Sequence, residues 1–389
     1  MGRIDIPTTN RSITIDFQVP FRHQLRLTDD CFGSDWPIVE SLIDSEQLES
    51  RVQVWVDRGV VDAAPLLMAR LESCLDRSAK VKLMSLHEVV GGEQVKTSSD
   101  RVDKIFAAMN RDELDRRSYV MVIGGGAVLD AVGYAAAIAH RGIRLIRFPT
   151  TTLAQADSGV GVKNAVNAFG KKNWKGTFAV PWAVVNDSSL LQYLSDRDFR
   201  SGFSEALKVS LLKSPTAFDE LFHSAANIAS RDMDKALSTI NASVMMHLQH
   251  ITQGGDPFES SESRPLDFGH WSAHKLESLC NYELRHGEAV AIGVALDVVY
   301  SSLVHGLSSM VVDRALGILD RLGLPTYHEL LEERVLFEGL EEFRQHLGGR
   351  LTLTMLEDVG RMIQVHEIDY AKMKQAIQFL GERYERATK

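Results

Sequence analysis

The 389-residue sequence predicts an α/β fold, in which a parallel-sheet domain over residues 1–188 precedes a mainly α-helical domain over residues 189–389. Two observations favour this class: strand-like segments alternate with amphipathic helices in the first half, and helical periodicity dominates the second. A composition with 44% hydrophobic and 24% charged residues is typical of a globular protein, and this length is sufficient for two domains.

The first half supplies the alternation on which the parallel sheet depends. Apolar runs predict strands at residues 52–57, 81–86 and 119–123, and helix-period positions predict helices at 63–77, 97–109 and 127–139. Strands joined by helices pair in parallel, because each helix returns the chain to the edge of the sheet where the previous strand began.

Helix-period apolar positions continue through the second half, and several of these segments end near Gly or Pro. The predicted helices are residues 201–213, 215–229, 232–252, 268–282, 286–306, 309–322, 355–364 and 368–385. The predicted domain boundary lies near Asp187 to Leu191, before the first of these helices.

Charge and cysteine content argue against several classes of protein. The net charge is −9 and no basic tract occurs, so neither nucleic acid nor an anionic membrane is expected as a partner. The three cysteines show no Cys-x-x-Cys spacing, which favours buried thiols in a reducing compartment. The N-terminus lacks an apolar signal core, and no apolar run approaches the ~18 residues of a membrane span, so we expect a cytoplasmic protein.

A glycine turn, Gly124-Gly125-Gly126, lies between the apolar strand at 119–123 and a helix of small residues. A strand, a glycine turn and a helix N-terminus together offer bare backbone N–H groups and a favourable dipole to a diphosphate. The pattern predicts that the first domain is Rossmann-like and binds a dinucleotide. The alternative is that the glycines merely permit a tight turn.

Glu205, His270 and His286 predict a metal site in the second half. One carboxylate and two imidazoles leave a divalent ion with open positions, as catalytic zinc sites require. His270 and His274 lie four residues apart, and they could instead bind one metal from a single helical face. A further alternative is that these histidines cap helices or form hydrogen bonds in the core.

A third cluster lies before the predicted domain boundary, at residues 157–163 and 171–176. Its glycines would let the backbone approach a ligand, and Lys163, Lys172 and Asn173 would offer cationic and amide donors to a phosphate. The alternative is a solvated basic loop, as many charge runs are.

Taken together, these motifs resemble the 3-dehydroquinate synthase superfamily of sugar-phosphate cyclases, from about residue 52 to about residue 360. The matching segments are residues 92–96, 124–130, 141–142, 149–158, 205–208, 269–270 with His274, and 286–290. The intervals between the matched positions are also similar to those of the family.

The resemblance implies cofactors and a role for each matched residue. It implies a divalent metal, zinc or cobalt, on Glu205, His270 and His286. It implies NAD on Asp57, Glu93, Lys96, Gly124, Gly125, Gly126, Asp130, Thr150 and Thr151. Contacts to a phosphorylated sugar substrate are implied for Asp157, Lys163, Asn173, Lys208 and His274, with Arg350 where the family usually has a phosphate-binding lysine. Arg141 matches an arginine that serves a neighbouring subunit's site, which implies a homodimer.

The implied reaction recycles NAD within one turnover. A secondary alcohol is oxidised to a transient ketone, phosphate is eliminated, the ketone is reduced again, and an aldol closure forms a carbocycle. The protein would chiefly orient the substrate and stabilise anions in a cleft between the domains.

Departures from the family pattern concern the substrate's carboxylate. Ser263 and Gln249 stand where 3-dehydroquinate synthases have the arginine and lysine that bind it, and Asp267 replaces an asparagine. Arg264 could compensate if the loop shifts its register. A substrate carboxylate would lose both of its cationic partners and would face the added carboxylate of Asp267, so the sequence predicts a carboxylate-free substrate such as sedoheptulose 7-phosphate. A true 3-dehydroquinate synthase, an iron-type alcohol or glycerol dehydrogenase, and a catalytically silent NAD-binding protein are the alternatives.

Overall fold

The computed structural model describes residues 14–44, 49–169, 171–259, 265–345 and 349–388. Six parallel strands form the main sheet: β1 (Leu25–Thr28), β2 (Ser50–Asp57), β3 (Val81–Val89), β4 (Tyr119–Gly124), β5 (Arg144–Pro149) and β8 (Ala183–Asp187). Two antiparallel hairpins accompany it, β6 (Lys163–Ala168) with β7 (Lys171–Phe178), and β9 (Leu353–Asp358) with β10 (Arg361–Val365).

The helices before residue 188 cover or connect the strands of the main sheet. They are α1 (Trp36–Glu40), α2 (Arg58–Ala63), α3 (Pro65–Arg77), α4 (Gln94–Thr97), α5 (Ser99–Arg111) and α6 (Gly126–Ile138). A π-helical turn, Ala154–Ser158, follows β5. The later helices are α7 (Asp196–Ser201), α8 (Phe203–Lys213), α9 (Pro215–Ala229), α10 (Met233–Gln253), α11 (His270–Leu279), α12 (His286–His305), α13 (Ser309–Leu322), α14 (Glu338–Arg344) and α15 (Tyr370–Thr388).

The strand order β1-β8-β5-β4-β2-β3 creates a topological switch point between β2 and β4. The chain builds outward from β2 to β3 and then crosses to the other side of β2 for β4 and β5. The carboxyl ends of β2 and β4 therefore border a crevice, which is where open α/β sheets bind ligands. Asp57 ends β2 and Gly124 ends β4, so both lie at this crevice.

Helix α12 is the central element of the helical half. By length and composition, α12 could cross a membrane. However, 78% of its most apolar 18-residue stretch is buried inside the protein. Its apolar residues belong to one large core cluster with side chains of α8, α9, α11 and α13. The apolar character of α12 is thus explained by its place in this core.

The predicted fold class is confirmed, and one predicted helix is wrong. Residues 355–364 form most of the β9–β10 hairpin instead of a helix. Gly360, at the turn, has a φ of +78°, a left-handed conformation that a continuing helix does not allow. The division into domains at residues 188 and 189 remains a prediction, although the last strand of the sheet ends at Asp187.

Candidate active site

The glycine turn forms a cradle in which there is little room for side chains. Gly125 caps the N-terminus of α6, and a Cβ built on it would lie 3.3 Å from Thr151 Cγ2. A Cβ on Gly126 would lie 2.7 Å from Ser158 Oγ. We call residues 124–126 the glycine cradle. Its backbone N–H groups at a helix N-terminus fit the diphosphate of a dinucleotide.

The predicted NAD-binding side chains gather near this cradle or in one polar network beside it. The Asp57 carboxylate accepts hydrogen bonds from Gly59 N, 2.9 Å away, and from Gly125 N. Burial raises the pKa of Asp57 despite these two donors. Thr150 N donates to Gly124 O over 3.0 Å, which fixes the chain after β5 against the cradle.

Glu93, Lys96 and Asp130 take part in the adjoining network. Lys96 Nζ is almost completely buried, lies 2.8 Å from Asp130 Oδ2, and also donates to Asn173 Oδ1. Asn167 Nδ2 donates to Glu93 Oε1 over 2.7 Å. The network thereby joins helices α4 and α6 to the β6–β7 hairpin.

Glu205 on α8, His270 on α11 and His286 on α12 bring one ligand atom each within 4.8 Å of one another. His270 Nε2 lies 3.4 Å and His286 Nε2 3.5 Å from Glu205 Oε1. Both oxygens of Glu205 are buried without a hydrogen bond of good geometry. A buried carboxylate that faces two imidazole nitrogens fits a divalent cation, because burying its charge is costly unless cations balance it. We call these three residues the metal-ligand cluster.

Contacts at the other ring nitrogens orient the two histidines toward Glu205. His270 Nδ1 lies 3.1 Å from Phe268 O, and His286 Nδ1 lies 3.0 Å from Glu277 Oε2. Despite burial, the charge of Glu277 and the contact with Glu205 raise the pKa of His286 to about 9, so a metal binding at its Nε2 would displace a proton. Carbonyl and carboxylate oxygens only accept, so both Nδ1 atoms donate and both Nε2 atoms face Glu205. This is the arrangement that metal-binding histidines require.

A second group of possible ligands, His274, Glu277 and His286, lies beside the first. Among the described residues, no such group combines His270 with His274, so the structure favours the split between α11 and α12 over the i, i+4 alternative. Burial lowers the pKa of His274 well below its usual value, and the charges of His270 and Lys172 lower it further. His274 is therefore a neutral imidazole next to the cluster.

Lys208 connects the cluster to the predicted substrate residues. Its Nζ lies 2.5 Å from Glu205 Oε2 and 4.0 Å from Asp157 Oδ2. Burial alone would lower the pKa of Lys208, but the charges of Glu205 and Asp157, with a contribution from Asp267, raise it. Lys208 is therefore a buried permanent cation between the metal-ligand cluster and the π-helical turn.

Glu277 is a site residue that the sequence analysis missed. It accepts from Lys172 Nζ over 2.7 Å, and its other oxygen holds His286. Burial would raise the pKa of Glu277, but His286 and Lys172 lower it far below the usual value. Glu277 follows His270 and His274 at the helical spacing i, i+4, i+7, a signal that could have found it.

Arg147 on β5 is a second missed residue, and it shapes the segment that carries the predicted substrate residues. Its fully buried guanidinium donates to the carbonyl oxygens of Gly159, Gly161 and Lys163 and to Asn164 Oδ1, over 2.6 to 3.1 Å. Burial lowers the pKa of Arg147 to about 10. No local motif marks Arg147, because its hydrogen-bond partners lie 12 to 17 residues further along the chain.

The remaining predicted residues are placed as follows. Lys163 Nζ lies 2.6 Å from Glu259 Oε1. Asp267 ends a short 3₁₀ turn before α11, Gln249 is exposed on α10, and Arg350 is exposed before β9. Ser263 and Arg264 lie outside the described residues.

Arg141 lies on the turn between α6 and β5, at the amino edge of the sheet. The glycine cradle lies at the carboxyl edge, and β5 spans six residues. At about 3.3 Å per residue, the two edges are roughly 20 Å apart. Arg141 is thus remote from the cradle of its own chain.

Known proteins match both halves of the chain. Residues 86–201 match the family model of the 3-dehydroquinate synthase N-terminal domain, and residues 202–344 match that of its C-terminal domain. A 3-dehydroquinate synthase of Halorhodospira halophila is 32% identical over 78% of this chain and 84% of its own length.

Relatives named valiolone synthases are about as similar to this chain as the 3-dehydroquinate synthases are. A 2-epi-5-epi-valiolone synthase of Streptomyces glaucescens is 30% identical over 90% of this chain and 88% of its own. The solved structure of ValA, a 2-epi-5-epi-valiolone synthase from Streptomyces hygroscopicus with NAD+ and Zn2+ bound, superposes with a TM-score of 0.86. It is 25% identical, and the match covers 95% of this chain and all of that one. The chain therefore belongs to the 3-dehydroquinate synthase family of sugar-phosphate cyclases, and the predicted resemblance is confirmed.

Proposed function

We propose that the protein is an NAD- and divalent-metal-dependent cyclase that converts a carboxylate-free phosphorylated ketose, such as sedoheptulose 7-phosphate, into a carbocycle. The observation that carries this proposal is a series of short distances that leads from the glycine cradle in the sheet half to the metal-ligand cluster in the helical half. Ser158 Oγ borders the glycine cradle at Gly126, and the preceding residue, Asp157, lies 4.0 Å from Lys208 Nζ. Lys208 in turn lies 2.5 Å from Glu205 of the metal-ligand cluster. A single substrate carbon can therefore lie between cradle and cluster.

The residues present fit both cofactors. The glycine cradle and Asp57 would hold NAD, and Glu205, His270 and His286 would hold zinc or cobalt. When bound, NAD supplies a reversible hydride acceptor and the divalent ion supplies Lewis acidity at the alcohol oxygen. The NAD+ and Zn2+ bound to ValA support this assignment.

The chain's own residues orient the substrate and balance its charge. Lys208 stays protonated between two carboxylates, so it can bind the oxygen that becomes negative without giving up its proton. The neutral His274, together with Lys163, Lys172, Asn173 and Arg350, is the proposed surrounding of the phosphate. Phosphate can take up the substrate proton as it leaves, so no separate base is needed.

The absence of a carboxylate from the substrate is supported by the charge around Lys208. With the divalent ion balancing Glu205, Lys208 still faces Asp157, and Asp267 adds a second negative charge nearby. A substrate carboxylate placed there would be repelled. The alternative, a true 3-dehydroquinate synthase, is favoured by relatives of that name, including the Halorhodospira halophila enzyme.

The position of Arg141 supports a homodimer. Because it lies at the sheet edge opposite the cradle of its own chain, it can act at an active site only in a second copy. The homodimer and the cytoplasmic location remain predictions, and sedimentation of the purified protein would test the first of them.

Phosphate release by the purified protein tests the proposed function. The protein is incubated with NAD, zinc or cobalt, and either sedoheptulose 7-phosphate or 3-deoxy-arabino-heptulosonate 7-phosphate. We expect phosphate from the first compound and little from the second, without accumulation of NADH. Release from the second alone would favour a 3-dehydroquinate synthase, NADH accumulation with glycerol a dehydrogenase, and tight NAD binding without any turnover a silent protein.

A further inference from the structure

His247 is a buried histidine that neither the sequence motifs nor the proposed mechanism uses. It lies on α10 with a side chain that is 3% exposed, and its Nδ1 is 3.4 Å from Asp157 Oδ1. Ser243, one turn earlier, donates from Oγ to Ala156 O over 3.0 Å. These contacts pack α10 against the π-helical turn that carries Asp157.

The surroundings of the ring place His247 within the candidate active site. The charges of Asp157, Lys208, Glu205 and Lys163 all act on it. Its Nε2 is buried and has no hydrogen-bonding partner. Buried polar atoms nearly always have a partner, so an unpaired nitrogen among substrate residues calls for one that the ligand supplies.

Charge and burial together decide which ring nitrogen carries the proton. Burial lowers the pKa of His247 and outweighs the opposing charge of Asp157, so the ring is neutral near pH 7. The Asp157 carboxylate faces Nδ1 and can only accept, which favours the tautomer with the proton on Nδ1. Nε2 then carries a lone pair and acts as an acceptor.

We propose that His247 determines substrate specificity by accepting, at Nε2, a hydrogen bond from a hydroxyl group of the sugar phosphate. This inference rests on the proposed function and names the substrate class more closely, as a phosphorylated polyol that presents a hydroxyl beside Asp157. An ionised carboxylate has no hydrogen to donate and would face a lone pair on Nε2 and the negative charge of Asp157. His247 thus favours the hydroxyl and disfavours the acid.

Three variants test this role in the holoenzyme with both sugar phosphates. His247→Phe removes the acceptor, and His247→Gln retains an amide that can donate to Asp157 and accept from a hydroxyl. His250→Phe is the matched control, because His250 lies one turn further along α10, half-buried, with Nδ1 3.4 Å from Lys213 Nζ.

We expect H247F to lower kcat/KM for sedoheptulose 7-phosphate by roughly 10- to 100-fold, mostly through KM, as the loss of a substrate hydrogen bond does. H247Q should restore much of the loss, and H250F should stay within about twofold of wild type. NAD and zinc dissociation constants and Tm should be similar in all folded variants, since a structural role would alter Tm and would not be rescued by glutamine.

The possible outcomes distinguish a failure of the proposed role of His247 from a failure of the proposed cyclase function. If the wild type turns over sedoheptulose 7-phosphate and H247F matches H250F, the role of His247 is refuted while the proposed function stands. A loss that is the same for H247F and H247Q also refutes it. If the wild type releases phosphate from neither compound, both proposals fall.

Discussion

The glycine cradle and the metal-ligand cluster are built in opposite ways. The cradle consists of backbone from three consecutive residues, and its shape depends on the absence of side chains. The cluster consists of charged side chains from α8, α11 and α12, and its shape depends on the packing of a helical core. We therefore expect a larger side chain in the glycine cradle to weaken NAD binding. We expect the loss of a charged side chain from the metal-ligand cluster to weaken metal binding.

Glu205→Gln should have the largest effect, because it removes the negative charge at the centre of the cluster. We expect the affinity for zinc to fall by roughly a hundredfold or more, above the range for residues that only support ligands. The affinity for NAD should change by less than about twofold. Chelator competition measures the first quantity, and fluorescence titration with NAD measures the second.

Glu288→Gln is the matched control for that substitution. Glu288 is also buried, on α12 two residues after His286, but its carboxylate pairs with Arg197 at 2.6 and 2.7 Å. Its loss should leave zinc affinity unchanged. Equal losses in E205Q and E288Q would mean that Glu205 acts only on stability.

Gly125→Val tests the cradle with the opposite kind of change. Its side chain would enter space 3.3 Å or less from Thr151 and would cover the backbone N–H groups at the start of α6. We expect NAD affinity to fall by roughly 10- to 100-fold, and Gly125→Ala to give a smaller loss. Zinc affinity should be unchanged, and a parallel loss of zinc would contradict the separation of the two regions.

The contact between Lys172 and Glu277 crosses from the β6–β7 hairpin to the helical half, so it tests whether the regions are coupled. Lys172→Met and Glu277→Gln should each weaken zinc binding by roughly tenfold, because Glu277 orients His286. The double variant should lose much less than the product of the two single effects, since both act through one contact. If the loss of zinc affinity in the double variant equals the product of the two single losses, Lys172 does not act through Glu277.

Asp297, which contacts the residues on either side of His270, should make the free energy of unfolding depend on pH. It accepts from Gly269 N over 2.8 Å and from Trp271 Nε1 over 2.9 Å, on either side of His270. Burial raises its pKa to about 7 in spite of these hydrogen bonds. The folded state therefore holds the proton more tightly than the unfolded chain, whose carboxyl has the ordinary value of 3.8.

The contribution of Asp297 to stability is thus fully present below about pH 4 and is lost as the pH rises toward 7. We expect the free energy of unfolding of the wild type, minus that of D297N, to fall over this interval and then to level off. Urea denaturation at a series of pH values measures it, with G125A as the control whose difference should be flat. A flat difference for D297N would contradict the assigned pKa.

The contrast between the two regions also explains what the sequence could predict. The strand before Gly124 is a local signal, and Glu205, His270 and His286 each lie in a short motif that can be recognised from neighbouring residues. Glu277 could have been found from its helical spacing after His270 and His274. Arg147 and His247 acquire their roles from partners outside their own local segments, so no short motif reveals them.

The mistaken helix at 355–364 has the same origin. Its apolar residues fit a helical period, but Gly360 and the pairing of β9 with β10 decide the structure. The apolar side chains of β9 are buried in the same core as those of α12, and this burial stabilises the hairpin. Such burial is a tertiary effect. The sequence also predicts no strands where the structure has the β6–β7 hairpin, whereas the ligand-binding role of this segment remains a prediction.

Anomalous diffraction at the zinc edge, from crystals grown with zinc and NAD, tests the central claim most directly. We predict one zinc ion about 2.0 to 2.2 Å from an oxygen of Glu205 and from Nε2 of His270 and His286, with the nicotinamide ring facing it. An ion held instead by His274, Glu277 and His286, or a nicotinamide directed away from the metal, would contradict the account.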